Sequence, residues 1–270
     1  MIEVKHIAVR KGGKTIISDI SFTVKPGKIT VVVGKNGAGK STLLETLSGA
    51  NPLSEGEIFW EHQPYSTLSP QQLATLRAVL SQQVTLGFPL TVNELVEMGT
   101  YVSPHHLSRL SIRKFVRQAL KKVELPSFGN RDFTSLSGGE QKRVLLAKCM
   151  VQLNCCQQPG INQYLFLDEP TASLDIQQQH KLISWIKEWA KQRNLGIFAI
   201  LHDLNLVAQF ADEILIMNSG CMVARGTPEE VLTPEILLET MDIHALVQPH
   251  PVFTCPHITT LPESLELHSQ

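Results

Sequence analysis

The stretch Ile29-Thr30-Val31-Val32-Val33, followed by Gly34-Lys35-Asn36-Gly37-Ala38-Gly39-Lys40-Ser41, decides the fold of this chain. An unbroken β-branched run reads as a strand buried on both faces, because a strand with one wet face alternates. The residues after it fit Gly-x-x-x-x-Gly-Lys-Ser. In such a loop the glycines leave backbone N–H groups free to wrap an anion. Leu43, Leu44 and Leu47 then recur at helical spacing and Gly49 stops them, which predicts a helix over 40–48. Strand, glycine-rich loop and helix in that order form a phosphate site and the first unit of an α/β fold. Lys40 supplies a point charge there, and the Ser41 hydroxyl a magnesium ligand.

A second anion site lies far along the chain. Leu136-Ser137-Gly138-Gly139-Glu140 opens a helix predicted over 139–151. A serine followed by two glycines leaves N–H groups exposed at a helix start. After it, Tyr164-Leu165-Phe166-Leu167 is an apolar strand that ends in Asp168-Glu169, where Pro170 turns the chain. An acid in the place of Asp168 holds magnesium through water in phosphate-loop enzymes. At the turn, Glu169 can face the γ-phosphate and act as general base on an attacking water. Gln82, just past the strand-like Ala78-Val79-Leu80, can reach the same metal. His202 ends a strand over 196–201, at the carboxyl edge where ligands bind in parallel sheets, and is a candidate γ-phosphate contact. Singly, these residues read as a solvated strand end, a loop glutamine and a structural histidine; their company gives them chemistry.

Strands are also predicted over 2–9, 20–24, 57–60, 213–217 and 221–224, and helices over 70–77, 176–193 and 204–210. From about 83 to 151 helical periods dominate (92–100, 113–123 and 139–151), which reads as an α-helical subdomain inserted into the core. Residues 1–245 then form one domain. Residues 246–270, rich in Pro and His and without a period, form an irregular tail. Cys255-Pro256 near His250 and His257 is a combination able to ligate haem, but a Pro-rich tail reads first as surface.

Composition excludes several classes. With 24 Lys plus Arg against 25 Asp plus Glu, the formal net charge is -1, without the basic surplus of a nucleic-acid binder. No apolar run approaches the roughly 20 residues that cross a bilayer. The N-terminus lacks the shape of a signal peptide, so the expected place is the cytosol, with any membrane attachment supplied by another chain. The five cysteines have no metal-site spacing, and the vicinal pair Cys155-Cys156 suits neither zinc nor an ordinary disulfide.

Taken in order, the loop Gly34–Ser41, Gln82, Leu136-Ser137-Gly138-Gly139-Glu140-Gln141, the strand ending in Asp168-Glu169, the segment Pro170-Thr171-Ala172-Ser173-Leu174-Asp175, and His202 resemble the ATP-binding-cassette ATPases. The likeness runs from about residue 2 to 241. It implies a P-loop NTPase core with an antiparallel β-subdomain and an inserted α-helical subdomain. It also implies ATP and Mg2+ as cofactors: ATP on Gly34, Lys35, Asn36, Gly37, Ala38, Gly39, Lys40, Ser41 and Thr42; magnesium on Ser41, Gln82 and Asp168; catalysis by Glu169, His202 and Gln82. In this family two cassettes pair head to tail. Ser137, Gly138 and Gly139 would therefore bind, in trans, the nucleotide of a second copy, and Asp175 would carry signals across the homodimer. The family's usual aromatic near position 11 is absent: the segment reads Val9-Arg10-Lys11-Gly12-Gly13. Arg10 or Lys11 would have to replace its stacking.

A single cassette with a helical insert resembles an importer subunit, which works on the cytoplasmic face of the bacterial inner membrane under two integral-membrane permease subunits. Leu201-His202-Asp203-Leu204-Asn205-Leu206-Val207-Ala208 and Gly226-Thr227-Pro228-Glu229-Glu230-Val231-Leu232-Thr233 are similar to the iron–siderophore, vitamin B12 and haem group. An extra loop over about 154–162, Asp175-Ile176-Gln177-Gln178-Gln179-His180 and Pro249-His250-Pro251-Val252 resemble its haem branch, served indirectly by a periplasmic haem-binding protein. An iron–siderophore or corrinoid importer is the alternative within the group. A soluble regulatory or nucleic-acid-linked ATPase is the alternative of another class.

Overall fold

The computed structural model describes residues 1–82 and 87–262; the start of the predicted insert (83–86) and the end of the tail (263–270) lie outside the described residues. Strands β1 (Ile2–Lys11) and β2 (Lys14–Val24) form a hairpin around Gly12-Gly13. Strand β3 (Ile29–Gly34) is buried at every residue and feeds the phosphate loop and helix α1 (Lys40–Ser48). Strands β4 (Glu55–Trp60) and β5 (Gln63–Pro64) extend the first sheet in the order β2-β1-β4-β5. Helix α2 (Pro70–Leu76), with Ser69 in a capping box, precedes β6 (Arg77–Leu80). Helices α3 (Val92–Glu97), α4 (Arg109–Lys122) and α5 (Gly138–Cys155) follow.

The core then resumes with β7 (Tyr164–Asp168), α6 (Ile176–Arg193), β8 (Gly196–Ile200), α7 (Leu204–Phe210), β9 (Glu213–Asn218) and β10 (Cys221–Gly226). Two short helices, α8 (Pro228–Val231) and α9 (Pro234–Met241), lead to β11 (Ala245–Pro249) and β12 (Pro256–Thr260). The second sheet runs β10-β9-β3-β8-β7-β6. It is parallel from β9 to β6, with β10 as an antiparallel edge. This is the α/β architecture expected from the β3–loop–α1 unit.

The central strands are apolar throughout because both of their faces are covered. On β3, Val31 and Val33 join the cluster formed with α3 to α7, while Val32 joins the cluster under the first sheet with Leu43, Leu44 and Leu47 of α1. Leu165 and Leu167 divide from Tyr164 and Phe166 in the same way. Between the sheets Trp60 packs on Tyr164 and Phe166, and Phe166 and Phe22 pack on Phe198, with ring centroids 5.2–6.2 Å apart. Offset and edge contacts at this spacing are favourable and hold the sheets in register.

The helical segment shares the core's apolar cluster: Val92, Val96, Val116 and Leu120 lie in one group with Leu165 and Ile197. Helix α5 serves both parts, since the Gln152 amide donates to the carbonyls of Ala74 in α2 and Arg77 at the start of β6, both at 2.8 Å. It also continues to Cys155, so the loop expected over 154–162 starts only after it.

The expectation of an irregular tail from 246 is corrected. Strands β11 and β12 pair antiparallel, Val247 opposite Ile258. Asn205 of α7 stands in for a neighbouring strand: its amide donates to the Ile258 carbonyl at 2.9 Å and accepts from the Ile258 N–H at 2.8 Å. Buried Ala245 and Ile258 seal the hairpin against the main cluster. Pro249 and Pro256 hide the pattern in the sequence, but they sit at strand ends, where proline is tolerated.

Candidate active site

The phosphate loop is shaped by backbone that L side chains resist. Gly34 lies at φ 149°, where a Cβ would stand 2.1 Å from the Met217 carbonyl oxygen of β9. Gly37 lies at φ 80° with open space around it, so its need is conformational. Lys40 is buried and donates to the carbonyls of Gly34 and Lys35, both at 2.8 Å. Burial pushes its ammonium below the ordinary lysine range, and the Glu169 carboxylate pulls it back up. Ser41 lies in the first turn of α1 at the surface with Thr42 beside it, while Lys35 forms an ion pair with Asp242 at the end of α9.

The sheet order brings three residues together from the carboxyl edges of adjacent strands. Gln82 follows β6, Glu169 follows β7 and His202 follows β8. The Gln82 amide donates to Glu169 Oε2 at 2.7 Å, and His202 Nε2 lies 2.6 Å from Glu169 Oε1. An ionised carboxylate only accepts, so the histidine carries its hydrogen on Nε2 in this contact. Glu169 itself sits at φ 46°, the sparsely populated left-handed region that recurs at functional sites.

Asp168 ends β7 with a buried Oδ1 that has no hydrogen-bond partner among the described residues. Burial pushes its carboxyl above the ordinary range, as do Glu169 and Glu45; Lys142 and His202 oppose them. A hard dication fits this arrangement, because it would satisfy the orphaned oxygen and relieve the crowding of carboxylates.

Lys142 was not singled out by the sequence reading. It lies on α5, 8% exposed, and its ammonium donates to the backbone carbonyls of Ser81 at 3.2 Å and Gln82 at 2.5 Å. Burial lowers its pKa, and Asp168 and Glu169 raise it. A signal was present: Lys142 falls on the stripe that continues through Leu145, Leu146 and Cys149, where a lysine breaks an apolar face.

The second anion site is a well-formed helix start. Ser137 caps α5: its hydroxyl donates to Glu140 at 2.8 Å and accepts from the Glu140 N–H at 3.3 Å. The Glu140 carboxylate also takes the Ser137 N–H at 2.8 Å, closing a capping box. These bonds to Ser137 hold its carboxyl below the usual range. Gly138 is open, whereas a Cβ on Gly139 would meet the Gln178 amide oxygen at 1.9 Å. Among the described residues, no hydrogen bond joins Ser137, Gly138 or Gly139 to the phosphate loop of the same chain. Asp175 caps α6 through the Gln178 N–H at 2.8 Å.

At the position of the missing ring, Arg10 is held by Glu55 at 2.7 Å and Lys11 by Glu45 at 3.3 Å. Both cations expected to stack are engaged with carboxylates. In the hairpin tail the His250 ring nitrogen Nδ1 accepts the N–H groups of Val252 and Phe253, and Cys255 is half-buried. Among the described residues no cluster of three or more His, Cys, Asp or Glu could hold a metal.

The sequence profile of the ABC transporter family matches residues 17–172. The chain is 40% identical over 258 residues to the hemin import ATP-binding protein HmuV of Hahella chejuensis, covering 96% of this chain and 99% of that one. It is 43% identical to the protein of the same name from a Chelativorans species, with 90% and 91% coverage. Among solved structures, an inward-facing ABC transporter of proposed metal-chelate type superposes with a TM-score of 0.79 at 24% identity, covering 97% of each chain. A dimeric bacterial ABC transporter cassette superposes with a TM-score of 0.73 at 25% identity, covering 84% of this chain and 98% of that one.

Proposed function

The chain belongs to the ABC transporter family as an ATPase cassette, and we propose that it powers haem uptake as a homodimer docked beneath two permease subunits. The haem assignment rests on one observation: relatives named for hemin import match at 36–43% identity over at least 90% of the chain.

Lys40 and the loop amides of Gly34 to Thr42 take the phosphates of ATP. A phosphate oxygen would replace the carbonyls that Lys40 now contacts. Ser41, Asp168 and Gln82 offer oxygens for magnesium; with the Gln82 side-chain NH2 given to Glu169, its side-chain oxygen remains for the ion. Bound there, the ion would neutralise phosphate charge that develops at the leaving group. Glu169 takes the proton of the attacking water. The water displaces one of its present partners, and His202 then turns from the carboxylate to the γ-phosphate.

The site is incomplete within one chain. Ser137, Gly138 and Gly139 supply the γ-phosphate contacts of a second copy, and Asp175, capping α6 beside them, relays closure. Closure then moves the helical segment, where Phe88, Tyr101 and Leu110 are 65–80% exposed. Large apolar side chains so exposed suit a permease helix. No described helix is long and apolar enough to cross a membrane; in this reading the permease holds the chain at the cytoplasmic face of the inner membrane. Haem reaches that permease from a periplasmic binding protein.

The test is uptake into proteoliposomes that carry this chain with its copurified permease. ATP-dependent accumulation of haem, and not of ferric siderophores or cobalamin, is the expected outcome. Transport of either alternative without haem would reassign the cargo, and no stimulation of ATP hydrolysis by the permease would remove the transport role.

A further inference from the structure

We propose that Lys142 is a positioning residue that ties helix α5 to Gln82 and so makes the orientation of Glu169 depend on engagement of the second subunit. The inference rests on the ATPase reading of the Glu169 site.

Three contacts form an unbroken chain. Ser137 caps the first turn of α5. Lys142, a little over one turn further on the same helix, holds the carbonyls of Ser81 and Gln82. The Gln82 side chain grips Glu169 at 2.7 Å. Helix α5 is a continuous 18-residue rod, so a shift at its N-terminus moves Lys142 with it. Lys142 is bonded to the main chain of Gln82, and a rotation there swings the amide that restrains the carboxylate.

A buried ammonium is costly unless its hydrogens are satisfied. On most helix faces a lysine would extend to water at little cost. Here it points inward, and its partners are backbone carbonyls at the end of β6 and not a carboxylate. Those carbonyls lie beyond the last pair of the β6–β7 ladder, Leu80 with Leu167, where the sheet no longer supplies donors. The lysine thus replaces the ladder where β6 gives way to Gln82.

Full-length wild type, Lys142→Met, Lys142→Gln and Lys142→Arg are compared for ATP hydrolysis, ATP affinity and ATP-dependent dimerisation. A misplaced catalytic group costs up to about a hundredfold. The expected result is a kcat about tenfold to a hundredfold lower in Lys142→Met, with KM and the dimerisation midpoint within about twofold of wild type. Lys142→Arg and Lys142→Gln, which can still donate to both carbonyls, recover most of the loss. If Lys142→Met does not fold, the comparison passes to the other two: they retain kcat if hydrogen-bond donation is what matters. Wild-type turnover in Lys142→Met overturns the proposal. So does a parallel loss of affinity and kcat that neither donor variant restores, which marks a purely structural lysine. Absence of ATP hydrolysis by the wild type would instead overturn the ATPase reading itself.

Discussion

Glu169 and His202 meet at 2.6 Å although 33 residues separate them, and on its other oxygen the same carboxylate accepts from Gln82, 87 residues away. One carboxylate held from both sides by neighbouring strand ends is oriented before any substrate arrives. Its position is therefore the feature most open to direct experiment.

Replacing that carboxylate by an amide keeps its shape and removes its basicity. Glu169→Gln is expected to bind ATP normally, to lose turnover by about a hundredfold or more, and to accumulate an ATP-dependent dimer. Phosphate release and size-exclusion chromatography with ATP check both halves. Wild-type turnover would take the base role away from Glu169.

Ser137 stands at an open helix start and, among the described residues, makes no hydrogen bond to its own chain's phosphate loop. Ser137→Arg should leave ATP binding by single subunits unchanged and abolish hydrolysis, because a bulky cation would obstruct the partner's γ-phosphate. Equilibrium nucleotide binding beside steady-state hydrolysis separates the two effects. Full activity would show that the site is completed without a second subunit.

The carbonyl of Met217 stands where a side chain on Gly34 would go. Gly34→Ala is expected to destabilise the fold by about 1–3 kcal/mol and to weaken ATP binding, since the phosphate loop must shift to relieve the contact. Denaturant unfolding and nucleotide titration measure the two consequences. Unchanged stability would mean that β9 yields at that point.

Glu140 is held below the usual carboxyl range by its bonds to Ser137. A lowered folded-state pKa stabilises above the unfolded value, about 4.3, and this contribution disappears as pH falls through the folded value. Wild type should exceed Glu140→Gln in melting temperature at pH 7, and the difference should shrink as pH falls below the unfolded value and on through the lowered folded one. The site is largely exposed, so the gap corresponds to less than about 1 kcal/mol. A gap that persists in acid would point to packing in place of charge.

Much of the molecule was legible residue by residue. The run Ile29–Val33 gave away a doubly buried strand, and the sheet covers both of its faces. The helix predicted over 176–193 has those bounds in the structure, where Asp175 caps its start. The hairpin tail was not legible. Its strands are short, carry prolines and depend on Asn205 of α7 for an edge partner. Lys142 interrupts the apolar stripe of Leu145, Leu146 and Cys149, but what it meets depends on the chain packed beneath α5, which spacing does not express.

Local features are written directly in the order of residues. The glycines of the phosphate loop, the Ser137–Glu140 capping box and the apolar strand ending in Asp168-Glu169 each rest on interactions within a few residues, which spacing alone expresses. Tertiary structure decided what depends on strand order. Setting β6, β7 and β8 side by side delivers Gln82, Glu169 and His202 to one point, leaves Asp168 Oδ1 without a partner among the described residues, and turns Lys142 inward onto Ser81 and Gln82. No periodicity encodes those meetings, because they arise only when distant strands share a sheet edge.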